Sequence, residues 1–179
     1  MKNLKFSRLF AAALVVACLA LTGCKPQTEE VLVEKVYVVK ELSASHPIIG
    51  NWEDNYEEWN TYDDYDCQIK ADMIKPASYY SSNNGTVYIR EVSENSGYIY
   101  YQFSAPISLW NGSGYDDVDV TGKWGAIAYQ ELTANSVQMC DADYTDQDFV
   151  STLEECVTKY TKANKYFAYI NTPFTRVTE

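Results

Sequence analysis

The stretch TVYIREVSENSGYIYYQFS, residues 86–104, decides the fold of this chain. It contains two runs rich in β-branched and aromatic residues, 86–92 and 97–104, which the polar residues SENS join. Side chains alternate between two faces in each run, which is typical of strands buried on one side. Gly97 begins the second run and suits the close of a turn. The stretch therefore predicts a β-hairpin.

The residues on either side of this hairpin predict further short strands. A second hairpin is expected from GKWGAIAYQEL at 122–132 and SVQMC at 136–140, with LTAN between them. Single strands are predicted at IIGNW (48–52), EEWNTY (57–62), CQIKADMI (67–74), YFAYI (166–170) and FTRVT (174–178). Between the two hairpins, PISLWNGSGYDDVD at 106–119 predicts a long surface loop.

One helix is predicted late in the chain, within residues 141–167. Apolar side chains recur there at helical spacing, at Phe149, Leu153, Cys156, Val157 and Tyr160. Thr145 or Asp146 can cap the start of the helix, and Asn164 is a plausible end. The spacing turns Cys156 toward the core, where it would act as a small apolar residue.

These elements predict a mainly β fold. About eight strands joined by sequential hairpins, with one late α-helix, suit an up-and-down antiparallel β-barrel, because closure removes exposed strand edges. The break SASHP at 43–47 separates this body from what precedes it. We therefore expect the barrel domain to span residues 47–179.

The amino-terminal residues predict an export signal. Three basic residues, Lys2, Lys5 and Arg8, precede an apolar run that extends over residues 9–21. A helix that spans a membrane needs about 20 apolar residues, so this run is too short to be a permanent anchor. The pattern predicts that residues 1–23 are a signal peptide, removed from the mature protein.

The end of that run, Leu21-Thr22-Gly23-Cys24, resembles the lipobox of bacterial lipoproteins. The resemblance implies cleavage before Cys24 and acylation of its thiol, so that a lipid anchor with palmitate-type chains holds the protein to a membrane. Residues 24–46 would form a tether, and its β-prone part, 31–40, is either an extra strand or a stalk. Lys25 follows the cysteine where an Asp would favour the inner membrane, which implies the outer membrane, on its periplasmic or surface face.

The charge of the chain excludes some partners. Removal of residues 1–23 takes three basic residues and no acidic residue, so the mature chain has 11 basic and 25 acidic residues and a net charge of −14. Such a body is a poor partner for nucleic acid or for anionic lipid. Solubility of an exposed protein explains this charge more simply than an acidic docking face does.

Two further resemblances concern the barrel domain. Gly50-Asn51-Trp52 is similar to the Gly-x-Trp signature of lipocalins. The segments SGYIYYQFS, GKWGAIAYQELTANSV and TLEECVTKYTKANKYFAYI resemble a unit of uncharacterised lipoproteins of spirochaetes such as treponemes. Together they imply a lipocalin-like domain on a lipid anchor, without implying an activity. Lipocalins pack an arginine on the signature tryptophan, and Arg176 is the candidate for that position here.

The reactive residues do not indicate an enzyme, a cofactor or a metal site. His46 is the one histidine, so a serine or cysteine nucleophile within the fold lacks an imidazole base. Aspartates at 116–119 and 141–148 do not follow the pattern of a calcium loop. Cys67, Cys140 and Cys156 are an odd number, and we expect buried thiols, with one disulfide as the alternative.

Composition and motifs favour a non-enzymatic binding module. Trp110 and Tyr115 lie among Gly, Ser and Asn in the predicted loop, where exposed rings suit contact with a partner. Trp52 and Trp124 are further candidate ligand-binding residues, although core packing is the favoured role for both. A protein partner is the preferred hypothesis, and a small apolar ligand in the barrel or a structural role in the envelope are the alternatives.

Overall fold

The computed structural model describes residues 38–55, 66–78, 82–110 and 112–178. The predicted signal peptide, Cys24, most of the tether and the predicted strand at 57–62 lie outside the described residues. The described part confirms a mainly β chain with one late helix. It has twelve short strands in place of the predicted eight or so. One predicted strand divides into two, one predicted loop is a hairpin, Lys40–Glu41 joins from the predicted tether, and Asn83–Asn84 is an additional short strand.

Ten of the strands form one antiparallel sheet. Its members along the chain are β1 (Lys40–Glu41), β2 (Gly50–Asp54), β3 (Cys67–Ile69), β4 (Met73–Lys75), β5 (Asn83–Asn84), β6 (Tyr88–Ser93), β7 (Ser96–Gln102), β10 (Trp124–Gln130), β11 (Ser136–Asp141) and β12 (Pro173–Arg176). Their order in the sheet is β1-β6-β7-β10-β11-β12-β2-β3-β4-β5. The remaining strands, β8 (Ile107–Trp110) and β9 (Tyr115–Val118), form a separate two-stranded sheet.

The predicted closed barrel is not found in the described residues, since the sheet begins at β1 and ends at β5. The two edge strands do not pair with each other: β1 pairs with the edge of β6 that does not face β7, and β5 pairs with β4. Two backbone bonds nevertheless extend the pairing of β4 toward β6: the Gly85 amide donates to Asp72 and the Val87 amide donates to Ala71.

Both predicted hairpins are confirmed, and their inner strands, β7 and β10, are buried along most of their length. β7 lies between β6 and β10, with Ile99 opposite both Ile89 and Ile127. Since neighbouring side chains alternate, these isoleucines share one face, and Tyr100 and Ala126 share the other. The helix packs on β7 and β10. Side chains on both faces of these two strands are buried.

Three other predictions about strands are wrong. CQIKADMI forms two strands, β3 and β4, because the chain turns at residues 70–72 and the Lys70 amide donates to the Met73 carbonyl at 2.8 Å. The segment predicted as a loop at 106–119 contains the β8–β9 hairpin. YFAYI is not a strand, because Phe167 instead packs against the Tyr98 ring at 5.6 Å.

The helix, α1 (Leu153–Lys159), begins later than predicted. Thr152 caps it, and Glu155 completes a capping box with the backbone of Thr152. The predicted caps Thr145 and Asp146 instead lie in a turn, which the Gln147 amide closes by donating to the Tyr144 carbonyl at 2.8 Å. The Tyr144 hydroxyl ties this turn to β10, because it accepts from the Ala126 amide at 2.7 Å.

The helix also ends earlier than predicted: its last residue is Lys159 and its C-cap is Tyr160, whereas the predicted end was Asn164. The Asn164 side chain lies beyond the helix and donates to the Lys159 carbonyl at 2.8 Å. Cys156 is buried and faces the sheet as expected, with its Sγ atom 3.6 Å from the Gly125 carbonyl oxygen.

The sheet reaches into the segment predicted as a tether. β1 pairs with β6, so the last residue of the ambiguous segment 31–40 belongs to a strand, while 31–37 lie outside the described residues. Leu42 is buried and its amide donates to Val87 at 2.8 Å. Lys40 and His46 both contact the Glu91 carboxylate, which fastens this segment to β6.

Candidate functional site

The aromatic pair Trp110–Tyr115 is the candidate site that the structure presents to solvent. The two residues form the last pair of the β8–β9 ladder, at the end where the chain connects the two strands. Their ring centroids are 5.3 Å apart in an edge-to-face arrangement, and the residues are 54% and 73% exposed. On the other face of the hairpin, Ile107 and Leu109 are buried. The hairpin therefore packs against the rest of the protein through aliphatic side chains, and its two large rings point to solvent.

Aspartates surround this pair. Asp117 lies on the same face as Tyr115 and accepts a hydrogen bond from the Ser108 hydroxyl, its cross-strand neighbour. Asp119 accepts from the Thr121 amide at 3.0 Å, and this bond lowers the pKa of Asp119. Within the described ranges, no group of three or more histidine, cysteine or acidic side chains is arranged to hold a metal ion. Asp117 therefore belongs to a cross-strand pair, and Asp119 belongs to a turn.

Trp52 has no exposed surface with which to contact a ligand. It is fully buried, and its indole nitrogen donates to the Ile48 carbonyl at 3.0 Å. The Arg176 guanidinium lies 4.2 Å from the centre of the indole ring. A side chain at Gly50 would collide with that guanidinium, with 2.3 Å between its Cβ and Nη1, so the glycine makes room for the arginine. Trp52 therefore belongs to the core, the role favoured by the sequence.

Trp124 is half-buried and also packs within the fold. Its ring lies 5.8 Å from that of Tyr88, and its amide donates to the Val150 carbonyl at 3.0 Å. The structure thus brings together Trp110 and Tyr115 and leaves Trp52 and Trp124 in packing roles.

A buried carboxylate on the sheet is a feature that the sequence analysis missed. Part of Asp141 reaches solvent, but its Oδ1 atom is enclosed and has no hydrogen-bond partner among the described residues. Its Oδ2 atom accepts from the Ser78 amide at 2.8 Å. Burial, partly offset by that bond, raises the pKa of Asp141 to about 6. The available signal was strand alternation, which puts Asp141 on the same face as the buried Val137 and Met139.

Lowering the pH from about 7 to about 5 is expected to raise the free energy of unfolding by about 1 kcal/mol. The folded pKa of Asp141, about 6, exceeds the value of about 3.9 for an unfolded chain. The stability contributed by its protonated form is thus complete below the unfolded pKa and is lost as pH rises through about 6. Asp141→Asn keeps an acceptor for Ser78 and does not titrate, so it should abolish this dependence. Urea unfolding across the pH range is the measurement, and a variant with the wild-type pH slope would contradict the assignment.

The three cysteines of the described part are free thiols, so the alternative of one disulfide among them is not found there. Burial raises the pKa of Cys140 to about 12 and raises that of Cys67 and Cys156 as well. Thiols with raised pKa values stay protonated at neutral pH and are weak nucleophiles. His46 has a structural position, since its Nδ1 atom accepts from the Ile48 amide at 3.1 Å.

The fold and the exposed hairpin define a mainly β protein whose candidate site is an exposed aromatic pair. No protein family, no curated protein and no solved structure matches this chain. The described part of the chain contains no helix with the length and hydrophobicity needed to cross a membrane.

Proposed function

We propose that the chain is a lipid-anchored lipoprotein of the bacterial envelope that acts as a non-enzymatic binding module for a protein partner. The observation that carries the proposal is the Trp110–Tyr115 pair, which is exposed on a hairpin whose other face is buried. Tryptophan and tyrosine contribute much of the binding energy at protein interfaces, because they bury a large area at a low cost in side-chain entropy. The site is a platform for docking, with no reactive group among its side chains.

A protein partner is favoured over a small apolar ligand by the way the sheet is packed. The strand registers place three other large side chains on the face that carries Trp52, each with less than 2% exposure: Tyr101, Tyr129 and Phe174. Side chains of this size fill the space in which a lipocalin would hold its ligand. A structural role in the envelope without a partner is the second alternative. It does not explain why two large aromatic rings are exposed.

We further propose that the domain is lipocalin-like. Two observations support this: β12 lies beside β2, so the last strand returns to the first long strand, and Arg176 stacks on Trp52 beside Gly50. The guanidinium also donates to the Ile49 carbonyl at 2.7 Å and to the Ala134 carbonyl at 2.6 Å. Arg176 thus connects β12 with the residues just before β2 and just before β11.

The anchor is proposed at Cys24, with outer-membrane placement, and its support is the sequence pattern alone. The anchor would deliver the acidic body to the envelope, since its own charge gives no attraction to anionic lipid.

Trp110→Ala is expected to reduce capture of the partner by at least about tenfold, because truncation of a central aromatic residue commonly costs about 2 kcal/mol of binding energy or more. The purified mature chain, immobilised, would be exposed to envelope proteins and to host serum and matrix proteins, and retained proteins would be quantified by mass spectrometry. Tyr169→Ala is the matched control, because Tyr169 is 77% exposed and lies outside the hairpin. Equal capture by Trp110→Ala and the wild type would remove the hairpin as the site.

A further inference from the structure

We propose that the β8–β9 hairpin binds a basic, extended segment of its protein partner, which adds to the hairpin as a third strand. This inference rests on the proposed function and names the chemistry of the partner. Three independent features of the hairpin carry it: its strand edges, its charge and the placement of its rings.

The first feature is the edge of the hairpin. β8 and β9 pair with each other, and their sheet has no third strand in the part of the chain that the structure describes. Residues Tyr115, Asp116 and Asp117 of β9 are all exposed, whereas β8 alternates between buried and exposed positions. A two-stranded sheet with an accessible edge is a template for an added strand, which would bind through main-chain hydrogen bonds. The edge of β9 therefore suits an extended segment better than it suits a helix.

The second feature is charge. Residues 105–122 contain three aspartates, Asp116, Asp117 and Asp119, and no lysine or arginine. The whole chain has a net charge of −11, so the field around the hairpin adds to its local charge. Charge complementarity favours a partner segment rich in lysine or arginine and disfavours an acidic one.

The third feature is the order of side chains on the outward face. Tyr115 and Asp117 are two residues apart on one strand, so both point to the same face. A third strand beside β9 would place its own alternate side chains next to them. A basic residue at one position would pair with the Asp117 carboxylate, and one two residues away would lie over the aromatic pair, where a cation is attracted by the ring faces. The expected partner segment therefore has lysine or arginine at every second position.

The test measures binding of synthetic octapeptides to the purified mature chain by isothermal titration calorimetry. The probe alternates Arg with Thr; the charge control alternates Glu with Thr; and a third peptide repeats the probe with alternate backbone nitrogens methylated. We expect the probe to bind at least about tenfold more tightly than either control, because the controls lack the charge or the main-chain donors. Its affinity should fall as salt is raised from about 50 mM to about 200 mM.

Two paired variants locate the site. Asp116→Asn with Asp117→Asn should weaken probe binding at least about tenfold, since the amides keep the shape and remove both charges. Glu94→Gln with Asp146→Asn removes two charges from exposed positions outside the hairpin and should leave the affinity within about twofold. Circular dichroism melts of both pairs verify that they fold.

The outcomes distinguish the basic-strand inference from the proposed docking function on which it rests. A probe that fails to bind, or that binds no better than the acidic or methylated peptide, overturns the basic-strand inference. If capture of a natural partner still depends on Trp110 in that case, the proposed docking function stands. If neither peptide binding nor partner capture changes in Trp110→Ala, both are overturned. Preferential, salt-sensitive binding that needs Asp116, Asp117 and unmethylated peptide supports the inference.

Discussion

Trp52→Ala is expected to lower the free energy of unfolding by about 3–5 kcal/mol, the range for truncation of a large buried aromatic residue. Trp52 is fully buried where β2 meets β12. The substitution removes the ring, leaves a cavity and also leaves the Ile48 carbonyl without the indole donor that it has at 3.0 Å. In a domain of this size the melting temperature should fall by roughly 10 °C.

The loss extends to Arg176, whose guanidinium lies over the indole ring. Without that ring the guanidinium keeps its bonds to backbone carbonyls but loses its stacking surface, and a cation–π contact contributes about 0.5–2 kcal/mol. A double-mutant cycle of Trp52→Leu with Arg176→Met would measure this coupling, because each substitution removes one partner of the contact. We expect a coupling energy of about 1 kcal/mol.

Trp110→Ala is the matched control for the stability of Trp52→Ala, because it removes the same side chain from an exposed position. Its free energy of unfolding should stay within about 0.5 kcal/mol of the wild type. Urea denaturation followed by circular dichroism gives all of these values. Equal losses in the two tryptophan variants would mean that Trp52 is not the core residue described here.

The contrast between these tryptophans shows what the sequence could indicate about the site. Turn residues around Trp110 and a strand pattern around Trp52 were enough to predict one exposed and one buried ring. Pairing of Trp110 with Tyr115 was not predicted, because residues 106–119 were interpreted as a loop. The Asn111-Gly112 pair was the available signal, since Asn-Gly between strand-like runs is typical of a hairpin turn.

The features of the fold that could be predicted depend on local sequence, and the errors depend on distant contacts. The β6–β7 and β10–β11 hairpins follow from alternation and a short turn, both of which lie within adjacent residues. The start of α1 does not follow from local sequence, because it depends on bonds from residues near Tyr144 to β10. The open sheet does not follow from it either, because it depends on the pairing of β1 with β6. The enclosed Asp141 depends on the Ser78 amide, 63 positions earlier in the chain.

Cys24→Ser is expected to abolish incorporation of labelled fatty acid and to move the protein from the detergent phase to the aqueous phase in a phase-partition assay. Cys24 lies outside the described residues, so this prediction rests on the lipobox resemblance and on the energetics of acyl chains. Each buried methylene contributes about 0.8 kcal/mol, and one chain gives only marginal binding, so stable attachment needs the several chains of a lipoprotein. Serine has no thiol to receive the diacylglyceride, and the effect should be complete.

Cys18→Ser is the matched control, because Cys18 lies within the same apolar run and is expected to leave with the signal peptide. This variant should incorporate label and enter the detergent phase as the wild type does. Mass spectrometry of the intact protein would show whether the mature chain begins at Cys24 and carries acyl chains. Label retained in Cys24→Ser, or absent from the wild type, would contradict the proposed anchor. An acidic body without that anchor has no attraction to anionic lipid, so the docking face of β8–β9 would then have to act in solution.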